Sequence, residues 1–462
     1  MKNFLNVLKS MNGYSFLIKF SLFFILMAAS LIDFRISMVA LLLIVIFAIG
    51  EFSYNSVIWF LMYMVCMPYA PWQYVLFAVF CFSGIFLVKF VLDLINDKTI
   101  LKSWSSITLL SLFGVISLLL FIPFAPHYIF MYSLFEVMAF LILTIFFIRY
   151  KKLDIKFILK VFPIFIAMYC IIYNFMGTMG WCAYRRINES GVNRFSLFLR
   201  DPNYTGGMAL ISLFSIYFLN RTKDISSWLY YSLFIFFGIC LFNTVSKAAF
   251  IVYFLFVLVI IINHLIIYFK TKNKESIKIL LLHLLSIAIA CLLSYKAVLV
   301  GLGRIFKFMD VDKNKLSVLT TKRSEIYLGY LKVIFESPSK TIFGYGVWAP
   351  TPPNLIDTHC ILLSLLYRDG LFVTLLLIAM YVVAFLKTRQ KLNWVNIACS
   401  FLVLLMYMSL SINFSVCMYI LVFIFILLVG IQEKQDDALL DKDKSDKIGN
   451  NNVLIKNKES EA

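Results

Sequence analysis

Of the four histidines in this 462-residue chain, His359 has the neighbours best suited to chemistry. It follows Asp357 and Thr358, closes a long polar stretch and opens a long apolar run. An imidazole titrates near neutral pH, so a histidine there can exchange a proton with a substrate hydroxyl or hydrogen-bond a phosphate. By itself His359 suits a structural role equally well. The preceding stretch adds weight. It runs through Arg323, Ser324 and Glu325, an amphipathic segment with Tyr327, Tyr330 and Ile334, then Gly344-Tyr345-Gly346 and a turn holding Pro350, Pro352 and Pro353. Gly-x-Gly in this setting opens no strand-to-helix phosphate turn and reads as a tight bend. The other three histidines invite simpler readings. His264 and His283 sit in apolar runs as helix-contact residues, and His127 lies in a short turn.

A second polar stretch carries Arg185, Arg186, Arg194 and Arg200 and ends in Asp201-Pro202-Asn203. Arg194 and Arg200 at a helix mouth suit bidentate phosphate binding better than lysine would. Asp201 and Asn203 have a helix-capping reading of equal weight, with Pro202 at an early helical position. A third element is the short turn Thr244-Val245-Ser246-Lys247, which separates two apolar runs. Lys247 either snorkels to lipid headgroups or joins the arginines on a phosphate.

These residues need a frame, and composition sets its class. Hydrophobic residues make up 62% of the chain and charged residues 14%. That excludes a soluble enzyme, a disordered chain and a disulfide scaffold. Apolar runs of roughly 20 residues recur along nearly the whole sequence, as in an all-α polytopic membrane protein. The runs lack the period-two alternation of a barrel. Expected spans cover 14–32, 36–50, 54–70, 72–94, 105–124, 128–148, 157–177, 203–220, 227–243, 247–268, 278–300, 358–386, 394–411 and 414–431. About 12–14 transmembrane helices follow. The first 30 residues resemble a secretory signal, but a dense array of spans follows, so they read as a first spanning helix.

With that count, four basic clusters face one side: Arg149 to Lys156, Arg221 and Lys223, Lys270 to Lys278, and Lys387 to Lys391. That side is expected to be cytoplasmic, together with both termini and a disordered tail over 432–462. The organisation is then N-terminal spans over 1–177, a first outer loop over 178–202, central spans over 203–301, a large outer loop over 302–357 and C-terminal spans over 358–431. Both outer loops are basic, within a net charge of +18. Positive charge on the outer face works against insertion, and an anionic ligand such as a lipid phosphate or pyrophosphate gives it a use. Solvated loop charge is the plain alternative. The nine cysteines form no C-x-x-C pair, so no metal site is expected. Cys182 and Cys360 both fall near the outer face, which leaves a disulfide between them open.

The order of these features resembles the O-antigen ligase and O-antigen polymerase superfamily of bacterial surface-polysaccharide assembly. The resemblance covers roughly 180–372. It rests on Arg194 with Asp201-Pro202-Asn203, on the Thr244, Ser246, Lys247 turn, and on Arg323, Gly344-x-Gly346, His359 and Gly370-Leu371 in order. Family members usually carry arginine where this chain has Lys247, and asparagine where it has Cys360. The resemblance implies a helical membrane glycosyltransferase related to the type-C architecture, with a large outer loop over the helix ends. The donor would be an oligosaccharide on undecaprenyl pyrophosphate, and the acceptor a sugar hydroxyl. No cofactor, metal or nucleic acid would take part. Arg194, Arg200, Lys247 and Arg323 would hold the pyrophosphate, and His359 would orient or deprotonate the acceptor. Glu325 and Asp201 would be weaker candidates for general base. Membrane lipids, a chain-length regulator and a flippase of the same pathway would be partners, in the bacterial inner membrane with the active face periplasmic or extracellular.

Polymerase and ligase share these motifs and differ in acceptor; divergence outside the motif region favours polymerase. The competing class is a flippase for the same lipid-linked units. It would need a polar path and internal repeats, and the spans hold few ionisable groups and no repeat.

Overall fold

A computed structural model describes residues 13–51, 53–66, 72–96, 153–182, 187–189, 192–197, 202–309, 323–346, 360–388 and 394–407, with scattered positions elsewhere. The spans expected over 105–124, 128–148 and 414–431 lie outside these residues apart from isolated positions, and so does the C-terminal tail. In chain order the helices are α1 (Gly13–Ala29), α2 (Ile36–Gly50), α3 (Val57–Cys66), α4 (Trp72–Asn96) and α5 (Ile155–Thr178), then α6 (Pro202–Arg221), α7 (Ser227–Asn243), α8 (Lys247–Thr271), α9 (Lys274–Leu293) and α10 (Tyr295–Met309). There follow α11 (Arg323–Ile334), α12 (Pro338–Phe343), α13 (Ile361–Thr388) and α14 (Trp394–Tyr407). A two-stranded antiparallel hairpin, β1 (Ile187–Glu189) and β2 (Val192–Arg194), lies between α5 and α6. Five described helices are long and apolar enough to cross a membrane, and five shorter ones are apolar as well. The chain is an all-α polytopic membrane protein.

The bundle is built around α6. All its residues but Asn203, Asn220 and Arg221 are buried. Its composition explains the position, because Thr205, Gly206, Gly207, Ser212 and Ser215 are small and let neighbours approach closely. At Gly206 an added Cβ would sit 2.7 Å from the Ala249 Cβ, so α6 and α8 touch there almost backbone to backbone. Around α6 pack α5, α7, α8 and α14. Outer helices present leucines outward: Leu281, Leu285, Leu292 and Leu293 of α9 are exposed, as suits a face against lipid.

The connections sort to two ends. At one end the Lys156 ammonium pairs with Asp224 at 2.8 Å, and Asn55 accepts the Asp154 backbone N–H at 2.7 Å. A buried polar knot sits nearby, where Lys89 donates to the carbonyls of Ala48 and Glu51 at 2.7 and 2.6 Å, and Arg149 pairs with Asp93. At the other end, the loop end, lie the hairpin, the 244–246 turn and α10. Met406 of α14 lies 3.8 Å from where a Gly206 Cβ would be, so α14 finishes at the loop end and α13, its predecessor, starts there.

Two apolar runs are broken where continuous helices are expected. The run over 278–300 stops at Ser294, and α10 restarts as a separate helix that continues to Met309, past the expected boundary at 301. The run from 358 is broken at Gly370 (φ 78°, ψ 174°), a conformation open essentially to glycine alone. Gly344 takes the same conformation (φ 76°, ψ −176°) and lies against it. Tyr345 and Gly346 then donate their N–H groups to the carbonyls of Tyr367 and Arg368 at 2.8 and 2.9 Å. The bend expected at Gly344-Tyr345-Gly346 is thus also a clasp that stitches the loop onto the broken helix. Tyr345 stacks on Tyr367 with ring centroids 4.8 Å apart, and Tyr330 meets Tyr367 edge-on at 5.1 Å. Cys182 and Cys360 are both free thiols, so the disulfide left open by the sequence does not form.

A Cβ on Gly344 would overlap the Arg368 carbonyl and come within 2.6 Å of the Gly370 nitrogen. Gly344→Ala and Gly370→Ala should each cost at least about 2 kcal/mol, from left-handed strain plus the clash. Gly84→Ala in α4, where nothing lies within 4 Å, should be neutral or stabilising by up to about 1 kcal/mol. Thermal unfolding of the three variants in one detergent checks this, and equal melting temperatures would refute the clasp.

Candidate functional site

The candidate site grows from the turn between α7 and α8. Its first layer is local. Thr244 donates its hydroxyl to the Leu241 carbonyl at 2.7 Å and accepts the Ser246 N–H at 3.2 Å. Ser246 caps α8 by accepting the Ala249 N–H at 3.3 Å, and donates to the Asn203 side-chain oxygen at 2.6 Å. The hydroxyls of the Thr-x-Ser turn are therefore engaged in building it. Asn203 fastens the start of α6 to the start of α8. Between them Val245 is fully buried and holds φ at +50°, which a β-branched residue rarely adopts.

The second layer is cationic. The Arg194 Nε–H donates to the Thr244 carbonyl at 2.9 Å. Arg304 donates from Nη1 to the next carbonyl, that of Val245, at 2.6 Å. The hairpin is registered onto the same turn by its backbone, since the Phe195 N–H donates to the Asn243 carbonyl at 2.7 Å. Two residues on, the Leu197 N–H reaches Thr205 Oγ1 at 2.9 Å. Two guanidinium groups, one from β2 and one from α10, thus converge on adjacent carbonyls, and Lys247 begins α8 two residues after Val245. The first turn of a helix adds its own unsatisfied N–H groups and the positive end of its dipole, which favour an anion.

Of the residues expected from sequence, the structure brings Arg194 and Lys247 together at this turn. Arg323 and Glu325 lie elsewhere, in the first turn of α11, which packs chiefly against α13. There the Arg323 side chain hydrogen-bonds Tyr327, while Glu325 is exposed. Burial and the neighbouring Cys360 push the Tyr327 hydroxyl pKa up, and the charge of Arg323 offsets part of that rise. Tyr327 thus neighbours both Arg323 and Cys360, the residue that follows His359 in the chain. His359, Arg200 and Asp201 lie outside the described residues. Arg304 enters the sequence reading only within the general positive charge of the outer loop over 302–357. Its signal was the amphipathic run over 295–309, in which Lys296, Arg304 and Lys307 interleave with apolar positions. His264 and His283 are buried helix contacts, with rings 5.3 Å apart. His283 meets the Tyr230 hydroxyl at 2.6 Å through Nε2 and donates from Nδ1 to the Ile279 carbonyl at 2.8 Å. No group of three or more His, Cys, Asp or Glu positioned to hold a metal ion occurs among the described residues.

The fold and site define a class: a polytopic helical membrane protein with a basic cluster, drawn from β2, α8 and α10, at one end of its bundle. Compared with known proteins, the sequence matches no family model and no curated protein.

Ser246→Ala removes the α8 cap and the tie to Asn203 together. It should lower stability by about 1 kcal/mol or somewhat more. Thermal unfolding measures the loss; no change would mean that the turn is held by its arginines alone.

Proposed function

We propose that this protein is a polymerase of undecaprenyl-pyrophosphate-linked oligosaccharide repeat units, acting at the outer face of a bacterial cytoplasmic membrane. The observation that supports the reading best is the convergence of Arg194 and Arg304 on the Thr244 and Val245 carbonyls, with Lys247 beside them. Both arginines are fixed in place before any ligand arrives, so little reorganisation accompanies anion binding. Glycosyl transfer from a lipid pyrophosphate leaves charge on the departing phosphates, and preorganised cations lower the barrier to that step. In this reading the acceptor hydroxyl attacks the anomeric carbon, the bond from that carbon to the pyrophosphate oxygen breaks, and His359 takes the hydroxyl proton. Arg323 serves the pyrophosphate as well, as the resemblance implies. The growing glycan moves to the incoming lipid-linked unit, and undecaprenyl pyrophosphate leaves.

The test is a surface-glycan profile of the source cell with the gene deleted, complemented by wild type, Arg194→Ala, Arg304→Ala, Arg304→Lys or His359→Ala at matched membrane abundance. Lipid-linked intermediates are resolved by mass. Deletion should remove the polysaccharide ladder and leave single repeat units. Each arginine-to-alanine change should slow polymerisation on the order of 10²-fold, with Arg304→Lys intermediate, because lysine keeps the charge and loses the fork. Long chains stranded on undecaprenyl pyrophosphate would mean a ligase. Units held on the cytoplasmic leaflet would mean a flippase. Normal ladders in His359→Ala would remove the histidine from the mechanism.

A further inference from the structure

Beside the arginine pair, at the break between α9 and α10, lies a cavity of about 320 Å³. Its polar lining comes from Asn193, Asn243, Ser294, Tyr295 and Lys296, and no Asp or Glu is among its described lining residues. Such a volume falls at the lower end of the roughly 300–1,000 Å³ of small-molecule sites. We propose that this cavity is a carbohydrate-binding subsite, which takes a sugar of a lipid-anchored glycan while its phosphates lie on the adjacent cations. The proposal rests on the functional reading above for the identity of the anchor.

The chemistry of the lining carries it. Asn243 spends both amide hydrogens within the protein, on the Ile239 carbonyl at 2.8 Å and the Ser294 hydroxyl at 3.1 Å. Its Oδ1 is left to accept, and the Ser294 hydroxyl, having accepted, keeps its hydrogen to donate. A fixed acceptor beside a fixed donor matches a sugar's hydroxyl groups, each of which can donate and accept. Asn193 is exposed, so its amide adds a second donor and acceptor set. Tyr295 is 52% exposed, with the Lys296 ammonium 6.0 Å from its ring centroid. An exposed ring offers the apolar face on which a pyranose C–H face packs.

Connectivity joins the cavity to the cations. Asn193 precedes Arg194 on β2, Asn243 precedes Thr244, and Tyr295 lies on the same helix as Arg304. A ligand with a sugar in the cavity therefore has its neighbouring groups at the guanidinium pair. The cavity also adjoins an exposed apolar face of α9. Leu293, in its lining, is 65% exposed, and Leu292 beside it 73%. A prenyl chain can lie along that face of α9 while its headgroup enters sideways.

The full chain in lipid nanodiscs tests this with two probes. One is the oligosaccharide repeat unit released by mild acid from the source cell's own lipid-linked intermediates, read by saturation-transfer NMR. The other is inorganic pyrophosphate, read by calorimetry. Asn193→Trp fills the cavity and Tyr295→Ala removes its ring; both sites are exposed, and thermal unfolding checks that the variants fold. The expected result is at least tenfold weaker oligosaccharide binding in both variants with pyrophosphate binding unchanged, and the reverse pattern in Arg194→Ala. Attaching the prenyl lipid to the oligosaccharide should tighten binding. Undiminished oligosaccharide binding in both variants, or none to wild type, overturns the subsite whatever pyrophosphate does. Sugar binding lost in the variants, with no pyrophosphate binding to wild type, upholds the subsite and overturns the pyrophosphate reading.

Discussion

A backbone carbonyl that leaves a helix near a membrane has little water to accept from, so the protein must supply a donor. That constraint governs the loop end of this bundle. The α7–α8 turn exposes the Thr244 and Val245 carbonyls, and the side chains of Arg194 and Arg304 satisfy them. The break in α13 exposes the Tyr367 and Arg368 carbonyls, and the backbone of Tyr345 and Gly346 satisfies them. In both places the donors come from outside the helices that break: β2 and α10 at the turn, the segment after α12 at α13. These flanking segments are therefore part of the helices' hydrogen bonding, and their positions follow from it.

The two solutions differ in what they leave behind. Backbone donors at Tyr345 and Gly346 bring no charge of their own, and the α13 break becomes a seam lined by Tyr330, Tyr345 and Tyr367, with the Lys340 ammonium 4.4 Å from the Tyr345 ring centroid. Guanidinium donors bring a full charge and five N–H groups each, more than one carbonyl can use. The same demand that orders the α7–α8 turn thus concentrates positive charge there. Structural need and positive charge have one source at this turn, and the strained Val245 backbone is held by the same contacts.

Most of the helical frame was legible because membrane helices must be apolar over a known length. The spans expected over 36–50 and 227–243 coincide with α2 and α7. The breaks at Ser294 and Gly370 were not legible, because hydropathy stays high on both sides of each and says nothing about backbone direction. Gly370 gave a partial sign as a glycine inside a span, but its need for Gly344 is a contact between segments 26 positions apart in the chain. Of the site, residue types were legible and partnerships were not. Arg194 and Lys247 were singled out for charge at a helix mouth. Arg304 looked like any loop cation until α10 folded back over the turn. Ser246 and Asn203 looked like separate features and proved to be bonded to each other.

The central helix α6 has a consequence for how the protein is made. Its sequence carries Thr205, Ser212, Ser215 and two adjacent glycines, and it is not among the described helices apolar enough to qualify as a span by hydropathy. Lipid is a poor solvent for such a segment, and its neighbours are a better one. During synthesis α6 emerges after α5 and before α7 and α8, the helices that will enclose it. Its stable residence in the bilayer is therefore a collective property. It awaits chain that the ribosome has not yet released, so membrane integration and tertiary packing overlap in time at this point of the sequence.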